Sequence, residues 1–350
     1  MQGWTPDGRY SFERHEAGGR VDLWAVREQS DIAGRPRRQT FQLTNGPLDL
    51  DGVVSSRDGT KLFALGRMSR GELLNWNGKS RQFVGWLPGL SADGIAFSPD
   101  GEWVAYTLWP ERTLWRSRAD GSNRLQLTSS PMEALAPRWS PNGQTLAFMA
   151  HASGKQCHWS VYLVPASGGS AEPVLPANSD YATPSWSPDG RALAFGGVTW
   201  LNGFAKKSTS VSTIDLRTRK VTQLPGSEGL WAPKWSPNGK YIAAKTTDSQ
   251  NIMLFDFKSQ QWSQLAKFEG RGYIACVCWS RAGDSVYFNT HDAIYRVGLR
   301  DRKMTLVTSL KDIRLAQTLG EWFGLAPDDS PMVLRDISIQ EIYALDVKWP

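Results

Sequence analysis

One short motif recurs along the chain and constrains its fold more than any other feature. The sequence reads WSPNG from Trp139, WSPDG from Trp186 and WSPNG again from Trp235. Aligned on the last residue of the turn, the copies end at Gly8, Gly59, Gly101, Gly143, Gly190, Gly239, Gly283 and Asp329. About 42 to 51 residues separate each of these eight copies from the next. A period of this length with short apolar runs indicates a fold built from repeated β units.

Each copy also carries the pattern of a four-stranded antiparallel unit. A short apolar run follows the turn, such as LFAL from Leu62 or LAFM from Leu146, and two further strand-like segments come after it. β-Branched and aromatic residues dominate these segments, and no apolar stripe of helical period competes with them. In the turn, Pro presets φ and Gly accepts a positive φ. The Trp before the turn is expected to fill the gap between neighbouring units, because no unit can bury both faces alone.

We therefore predict an all-β protein: an eight-bladed β-propeller of four-stranded antiparallel blades, formed as one domain over residues 1–350. The blades are expected to start near residues 1, 50, 92, 134, 181, 230, 273 and 319. The alternative is a seven-bladed ring in which the first and last copies merge. Ser55 and Leu325 replace the Trp and Asp329 replaces the Gly, so blades two and eight are expected to pack less regularly. The eighth copy reaches Pro350 without a fourth strand, which predicts an exposed outer edge.

Through WSPNG, WSPDG and their copies, the chain resembles the WD-like PDG-repeat propellers of the TolB type, which also occur in many bacterial modular proteins. This resemblance covers nearly the whole chain and implies the propeller fold. The C-terminal stretch LRDISIQEIYALDVKWP, with WFGLAPDDSP before it, is similar to the ends of acidobacterial regulators that join a winged-helix or kinase-like half to a propeller. That second resemblance implies a sensory or interaction role. Because GWTPDG starts directly after Gln2, the chain is expected to begin within a repeat.

Charge and cysteine content narrow the classes of partner. The net charge is +6, but Lys and Arg are scattered without interleaved aromatic residues, so no nucleic acid is expected to bind this domain. Cys157, Cys276 and Cys278 do not make a disulfide framework, and C-x-C within ACVCWS predicts two small core residues on one side of a strand. No long apolar run predicts a membrane span. Bacterial cytoplasm and periplasm both remain open as the location.

The channel mouth and the loop-rich face are the expected places for a ligand. Three residues before the Trp position, the predicted inner strands carry Gly52, Gly94, Ala136, Thr183, Ala232, Cys276 and Trp322. Trp322 is the one large residue of this set, and it either partly plugs the channel or packs between blades. The predicted entrances carry Asp49, Asp51, Asp93, Glu133, Asp180, Tyr181, Glu228, Trp231, Tyr273 and Glu321. Such an acidic and aromatic set suits a cationic, peptide or sugar-like ligand, although it is also ordinary polar loop content.

Two long loops between second and third strands should project from the same face. They are HASGKQCHW, residues 151–159, and GVTWLNGFAKKST, residues 197–209. Exposed aromatic side chains are costly unless a partner covers them, so Trp159, Trp200 and Phe204 are predicted to form a recognition surface. The first loop also holds two His and one Cys, but a tetrahedral metal site usually needs a fourth ligand. No metal and no cofactor are predicted.

Catalytic signals are sparse. The chain has four His and no G-x-S-x-G elbow, and the predicted entrance segments contain no His. We predict a non-catalytic propeller that binds a protein or a small polar ligand, as the sensory or interaction half of a bacterial regulator. The predicted ligand-binding residues are Trp159, Tyr181, Trp200, Phe204, Trp231, Tyr273, Glu321 and Trp322. The alternatives are a channel-mouth enzyme of the polysaccharide lyase or hydrolase type, which requires clustered groups of shifted pKa, and a purely structural repeat.

Overall fold

Repeated strands and tight turns make up the described chain. The computed structural model describes residues 3–17, 20–30, 36–46, 48–152, 158–175, 180–197, 209–318 and 320–349. Over these ranges the chain forms 30 strands in eight antiparallel sheets, six of four strands and two of three, and it contains no helix. The predicted all-β class and the predicted four-stranded units are confirmed. No helix long and apolar enough to cross a membrane occurs in the described ranges.

Residue contacts divide the chain into two compact units, where the sequence analysis expects one domain. Unit 1 comprises Met1–Arg70 together with Ile337–Pro350, and unit 2 comprises Gly71–Asp336. The chain therefore leaves unit 1 at residue 70, completes unit 2, and returns at residue 337.

Unit 1 consists of two three-stranded sheets. The first sheet contains β1 (Ser11–Ala17), β2 (Arg20–Ser30) and β3 (Pro36–Gln42) in that order. The second has the order β30-β5-β4, with β4 (Asp49–Ser55), β5 (Lys61–Met68) and β30 (Ile339–Asp346). Phe12 and Leu23 from one sheet and Leu50 and Leu62 from the other form a shared core, against which Trp349 packs.

Unit 2 consists of six four-stranded sheets. Five of them use consecutive strands: β8 (Ala92–Phe97), β9 (Trp103–Leu108), β10 (Leu114–Arg118), β11 (Leu125–Gln126); β12 (Met132–Trp139), β13 (Thr145–Ala152), β14 (Ser160–Pro165), β15 (Glu172–Pro173); β16 (Tyr181–Trp186), β17 (Ala192–Gly197), β18 (Val211–Asp215), β19 (Val221–Gln223); β20 (Leu230–Trp235), β21 (Tyr241–Thr246), β22 (Asn251–Asp256), β23 (Gln261–Lys267); β24 (Val277–Trp279), β25 (Ser285–Asn289), β26 (Ala293–Gly298), β27 (Met304–Ser309). The sixth sheet has the order β28-β29-β6-β7, with β6 (Gly71–Asn77), β7 (Gln82–Gly85), β28 (Phe323–Leu325) and β29 (Pro331–Asp336).

The inner strands of unit 2 close a ring of six blades. Strands β8, β12, β16, β20, β24 and β28 each contact the next, and β28 contacts β8. The described residues form as many sheets as there are sequence copies, eight, and six of these sheets form the closed ring of unit 2, whereas the sequence predicts eight, or alternatively seven, blades in one ring. The inner strands of these blades lie within a few residues of the predicted blade starts.

Two sequence copies exchange their outer strands, and this exchange explains the smaller ring. The eighth copy supplies β28 and β29, which the second copy completes with β6 and β7. Conversely, β30 of the eighth copy pairs with β5 of the second. Strand β29 pairs with β6 along its length, from Met332 opposite Asn75 to Asp336 opposite Gly71. The outer edge expected for the eighth copy lies instead at β30, which pairs only with β5 among the described residues and ends its sheet, with Ile342 77% exposed.

The repeated motif has a local structural role in the ring. The Ser140 hydroxyl donates to Asn142 Oδ1 at 2.7 Å and accepts from the Thr145 N–H at 2.9 Å, which fixes the turn. Indole N–H groups reach the preceding blade: Trp139 Nε1 donates to the Ala96 carbonyl at 2.8 Å, and Trp186 Nε1 donates to the Arg138 carbonyl at 3.0 Å. The Trp position therefore links neighbouring blades by a hydrogen bond as well as by packing.

Candidate binding site in the channel of unit 2

The six inner strands surround a cavity of about 160 Å³, and every blade of the ring contributes to its wall. The wall residues are Asp93, Gly94, Leu135, Ala136, Arg138, Met149, Thr183, Trp231, Ala232, Lys234, Lys245, Ala275, Cys276, Val277, Cys278, Thr318, Gly320, Glu321, Trp322 and Phe323. A cavity that combines aromatic walls with a few converging charged groups is typical of a small-molecule site.

The wall residues form layers because all inner strands share one register relative to the Trp position. Four residues before that position lies the entrance layer, with Asp93, Leu135, Trp231, Ala275 and Glu321. Three residues before it lies the middle layer, with Gly94, Ala136, Thr183, Ala232, Cys276 and Trp322. One residue before it lies the deep layer, with Arg138, Lys234 and Cys278. Three residues of strand separate the entrance layer from the deep layer, a distance of about 10 Å.

A β-bulge in four of the inner strands explains why four of the middle-layer residues are small; Cys276 and Trp322 belong to strands without such a register shift. The registers shift between Asp93 and Ala96 in β8 and between Trp231 and Lys234 in β20, and β12 and β16 shift at the equivalent places. The middle-layer residue of each bulge has a positive φ: 64° at Gly94, 50° at Ala136, 55° at Thr183 and 52° at Ala232. Side chains with a Cβ are strained at such angles, so these positions favour small residues.

Two carboxylates of the entrance layer are buried with an oxygen that lacks a protein partner. Asp93 and Glu321 are each 4% exposed. Within the described part of the chain, neither Asp93 Oδ1 nor Glu321 Oε2 has a hydrogen-bond partner. Burial raises the pKa of Asp93 to about 6, while a hydrogen bond from Thr318 and the charge of Arg112 act in the opposite direction. A buried polar oxygen without a partner costs about 1–3 kcal/mol, so both atoms are poised to accept hydrogen bonds from a ligand.

The second oxygen of Glu321 is occupied by groups at the channel mouth. Glu321 Oε1 lies 2.5 Å from His291 Nδ1 and accepts from Gln317 Nε2 at 3.0 Å. The hydrogen bond and the negative charge of Glu321 raise the pKa of His291, whose side chain is 68% exposed. These contacts hold one oxygen of the carboxylate in place, whereas Oε2 has no partner among the described residues.

Two lysines of one blade differ in how their ammonium groups are accommodated. Lys245 is 3% exposed, and its Nζ donates to the carbonyls of Ile274 and Ala275 and lies 4.1 Å from the centroid of the Trp231 ring. Burial lowers the pKa of Lys245 to about 8. Lys234 is half-buried, and burial together with the charge of Arg138 lowers its pKa to about 7. The Lys234 ammonium makes no hydrogen bond to any residue that the structure describes.

Cys276 and Cys278 lie at the inner strand β24, where they line the cavity and also pack against the core cluster that includes Phe323 and Val333, as expected for two small core residues. Cys276 Sγ lies 3.4 Å from the carbonyl oxygen of Glu321, and Cys278 Sγ lies 3.9 Å from that of Phe323. Both thiols are free and half-buried. Burial raises the pKa of Cys278 to about 11, so this thiol stays protonated at neutral pH.

Three predicted ligand-binding residues meet at the cavity. Trp231, Glu321 and Trp322 all line it, and Trp322 also packs against the core cluster that includes Leu90 and Val104. Tyr273 is 46% exposed, and burial and the charge of Glu321 raise its pKa. Tyr181 lies away from the cavity wall, with its ring 4.7 Å from that of Phe195.

The predicted loop surface is not reproduced at Trp159. This residue is 2% exposed and packs with Leu135, Met149 and Ala182, because it directly precedes β14 and turns into the core. Trp200 and Phe204 lie outside the described residues. In the described part of the chain, no group of three or more His, Cys, Asp or Glu side chains is arranged to hold a metal ion.

Sequence reasoning missed the cations of the channel. Arg138 and Lys234 directly precede a Trp in PRW and PKW, and Lys245 lies near the end of the apolar strand YIAAKT. The sequence did contain a signal for Arg138 and Lys234. Each lies two residues after a middle-layer residue of its strand, and residues two apart on a strand point to the same side. A bulge between them made this side difficult to assign from the sequence alone.

No protein-family model and no curated protein matches the sequence. Among solved structures, a protein assigned as TolB from Agrobacterium tumefaciens aligns with a TM-score of 0.61 at 18% identity, over 77% of this chain and 99% of that one. A chain of a nidogen–laminin complex aligns with a TM-score of 0.52 at 12% identity, over 68% and 92%. An oligogalacturonate lyase in complex with manganese aligns with a TM-score of 0.49 at 15% identity, over 86% of this chain and 89% of that one. The chain has the fold of a TolB-like β-propeller.

Proposed function

We propose that the protein is a binding propeller that takes a small polar ligand into the channel of unit 2 without transforming it. The observation that supports this most directly is the pair of buried carboxylate oxygens, Asp93 Oδ1 and Glu321 Oε2, on the wall of one cavity. Carboxylate oxygens are rarely buried unpaired, since their loss of hydration is not offset. A ligand that donates from hydroxyl or ammonium groups would satisfy both.

The aromatic residues of the cavity fit the same proposal. Trp231 in the entrance layer and Trp322 in the middle layer offer flat apolar surface to the body of a ligand. The walls thus combine apolar area with a few oriented acceptors, which is how proteins orient small polar molecules. A role as the sensory half of a bacterial regulator would follow if binding is passed on to a partner protein, and the C-terminal resemblance to such regulators supports this extension.

A substitution that keeps the shape of a carboxylate but removes its charge tests the channel. A panel of polyols, amines and amino acids is first screened for a rise in melting temperature of the wild-type protein. We expect hits to lose their effect in Asp93→Asn and Glu321→Gln. The matched control is Asp100→Asn, which changes an exposed carboxylate of a turn in the same blade. Hits that stabilise all four proteins equally would place the ligand elsewhere and refute the proposal.

One observation favours an enzyme as a second candidate. The cavity gathers groups of shifted pKa, with Asp93 raised to about 6 and Lys234 lowered to about 7, as expected for acid–base catalysts. These two groups lie in different layers, and no hydrogen bond joins a nucleophile to a base among the described wall residues. Incubation with oligosaccharides and esters, followed by mass spectrometry of the products, separates the candidates. Turnover that is lost in Lys234→Met would favour the enzyme.

A further inference from the structure

The deep layer of the channel presents two cations and no carboxylate. Lys234 and Arg138 both line the cavity at the same register, one residue before the Trp position of their strands. Arg138 Nη1 donates to the Pro137 carbonyl at 2.8 Å, which holds its guanidinium on the wall. We infer that Lys234 and Arg138 form an oxyanion subsite, which receives a carboxylate or phosphate group of the channel ligand. This inference rests on the proposed function and adds the chemical class of one end of the ligand.

The surroundings of Lys234 support an anion as its partner. The charged and titratable side chains that act on it are Arg138, Lys245, Cys276 and Cys278. None of these described neighbours is a carboxylate, and the two cations repel the ammonium. Like charges that share a desolvated wall are costly to hold together without a counterion. An oxyanion between Lys234 and Arg138 would remove this repulsion and complete the hydrogen bonds of the ammonium.

Lys245 shows that burial of a lysine in this blade does not by itself require a ligand. Its ammonium is satisfied by two backbone carbonyls and by the Trp231 ring. Lys234 lies two residues after Ala232 on the inner strand of the same blade. Its ammonium has no hydrogen-bond acceptor among the described residues. The contrast between the two lysines assigns Lys245 to the structure of the blade and Lys234 to the ligand.

The two ends of the cavity together define a dipolar ligand. The unpartnered oxygens of Asp93 and Glu321 lie in the entrance layer, about 10 Å of strand away from the cations of the deep layer. A molecule with an oxyanion at one end and an ammonium or hydroxyl group at the other would match both layers. A ligand that carries only positive charge would meet the carboxylates but not the deep layer.

Three small probes test the subsite by isothermal titration calorimetry at constant ionic strength. They are inorganic phosphate, 4-aminobutyrate as a dipolar molecule, and 1-butylamine as the cation without the oxyanion. We expect phosphate and 4-aminobutyrate to bind the wild-type protein, and Lys234→Met to weaken both by about 10- to 100-fold, as for the loss of a charge-assisted hydrogen bond. The control is Lys240→Met, which changes an exposed lysine of the same blade and should leave binding unchanged.

Lys234→Arg guards against a purely structural effect of the methionine. Arg stays protonated throughout the accessible pH range, so this variant should keep phosphate binding within a few-fold, and its binding should weaken less from pH 6 to pH 8 than that of the wild type. The wild-type protein should bind phosphate up to about tenfold more weakly at pH 8 than at pH 6, because the lysine loses its proton in between. Phosphate binding that is absent, or equal in wild type and Lys234→Met, would overturn the subsite. If 1-butylamine still binds through Asp93 in that case, the channel remains a ligand site and only the oxyanion end is refuted.

Discussion

At the scale of single residues, the channel is defined by groups that folding leaves without partners. Asp93 and Glu321 keep one free oxygen each, and Lys234 keeps an ammonium without an acceptor among the described residues. Groups like these lower the stability of the empty protein and raise the gain from a complementary ligand.

Lys234 makes the stability of the protein depend on pH. Its pKa is about 7 in the folded chain and 10.5 as its ordinary value. Between these values the unfolded chain holds a proton that the folded chain has lost, so the free energy of unfolding rises with pH by at most about 1.4 kcal/mol per unit. We expect Lys234→Met to be more stable than wild type at pH 7 and to lose this rise.

Urea unfolding at pH 7 and pH 9 measures the effect. Lys245 acts in the same direction above its pKa of about 8 and is unchanged in the variant, so part of the rise persists in both proteins. Lys240→Met serves as the reference for loss of an exposed lysine. Equal pH dependence in wild type and Lys234→Met would show that this ammonium is not desolvated.

The sequence alone predicts some of the residues that line the cavity and misses others. The small residues before the Trp position could be read from the sequence, and they do line the channel at Gly94, Ala136 and Ala232. Their physical reason, a positive φ in a bulge, needs the strand pairing. The charges of the deep layer were missed because the bulge interrupts the simple alternation of sides along the strand, so the side that Arg138 and Lys234 occupy could not be assigned from the sequence.

At the scale of elements, closure of the ring depends on strands from opposite ends of unit 2. Leu334 in β29 lies opposite Leu73 in β6 and is 1% exposed. Both leucines belong to a core cluster with Val104 and Tyr106 of the next blade. The pairing of β29 with β6 therefore joins the C-terminal strands of unit 2, β28 and β29, to its N-terminal strands, β6 and β7. Through the shared core cluster it also packs against the neighbouring blade.

Truncation of Leu334 should weaken this closure. We expect Leu334→Ala to lower the free energy of unfolding by about 2–5 kcal/mol, as for other fully buried leucines. The control is Ile342→Ala in β30, a residue that is 77% exposed and should change stability by no more than about 0.5 kcal/mol. Chemical denaturation followed by circular dichroism compares the two. A small loss for Leu334→Ala would mean that the β6–β29 contact does not hold the ring.

The number and type of elements were predictable from the sequence, but the pairing of two copies was not. LLNW from Leu73 and EIYALD from Glu341 both fit the pattern of a third strand. Local pattern cannot decide which of them follows β29, because each is a short run rich in apolar and aromatic residues. The departures at Ser55, Leu325 and Asp329 did mark the second and eighth copies, which are the two copies that exchange strands.

At the scale of the whole molecule, the ring contains all that its closure needs within residues 71–336. Each of its six sheets is completed by strands from this range alone. We expect a fragment of these residues to fold by itself, to unfold in one cooperative transition, and to bind the channel probes with the affinity of the full chain. Circular dichroism, thermal unfolding and calorimetry test this. A matched fragment, 92–336, lacks β6 and β7 and should fail to close.

Failure of fragment 71–336 to fold, alongside a folded full chain, would show that unit 2 depends on residues of unit 1. Folding without probe binding would separate the fold from the site. Equal folding of 71–336 and 92–336 would refute the closure through β6 and β7.

The ends of the ring meet as direct strand partners, since Asp336 lies opposite Gly71. Because the two ends of the ring are adjacent, the chain could in principle begin at any of the six blades. A short linker could therefore join residue 336 to residue 71, and new termini could be opened at the connection between β19 and β20, which would yield a circular permutant with the same six blades in a different chain order. The same adjacency lets residues 71–336 form one continuous insertion between residues 70 and 337 of the chain, because the insertion begins and ends at the same place.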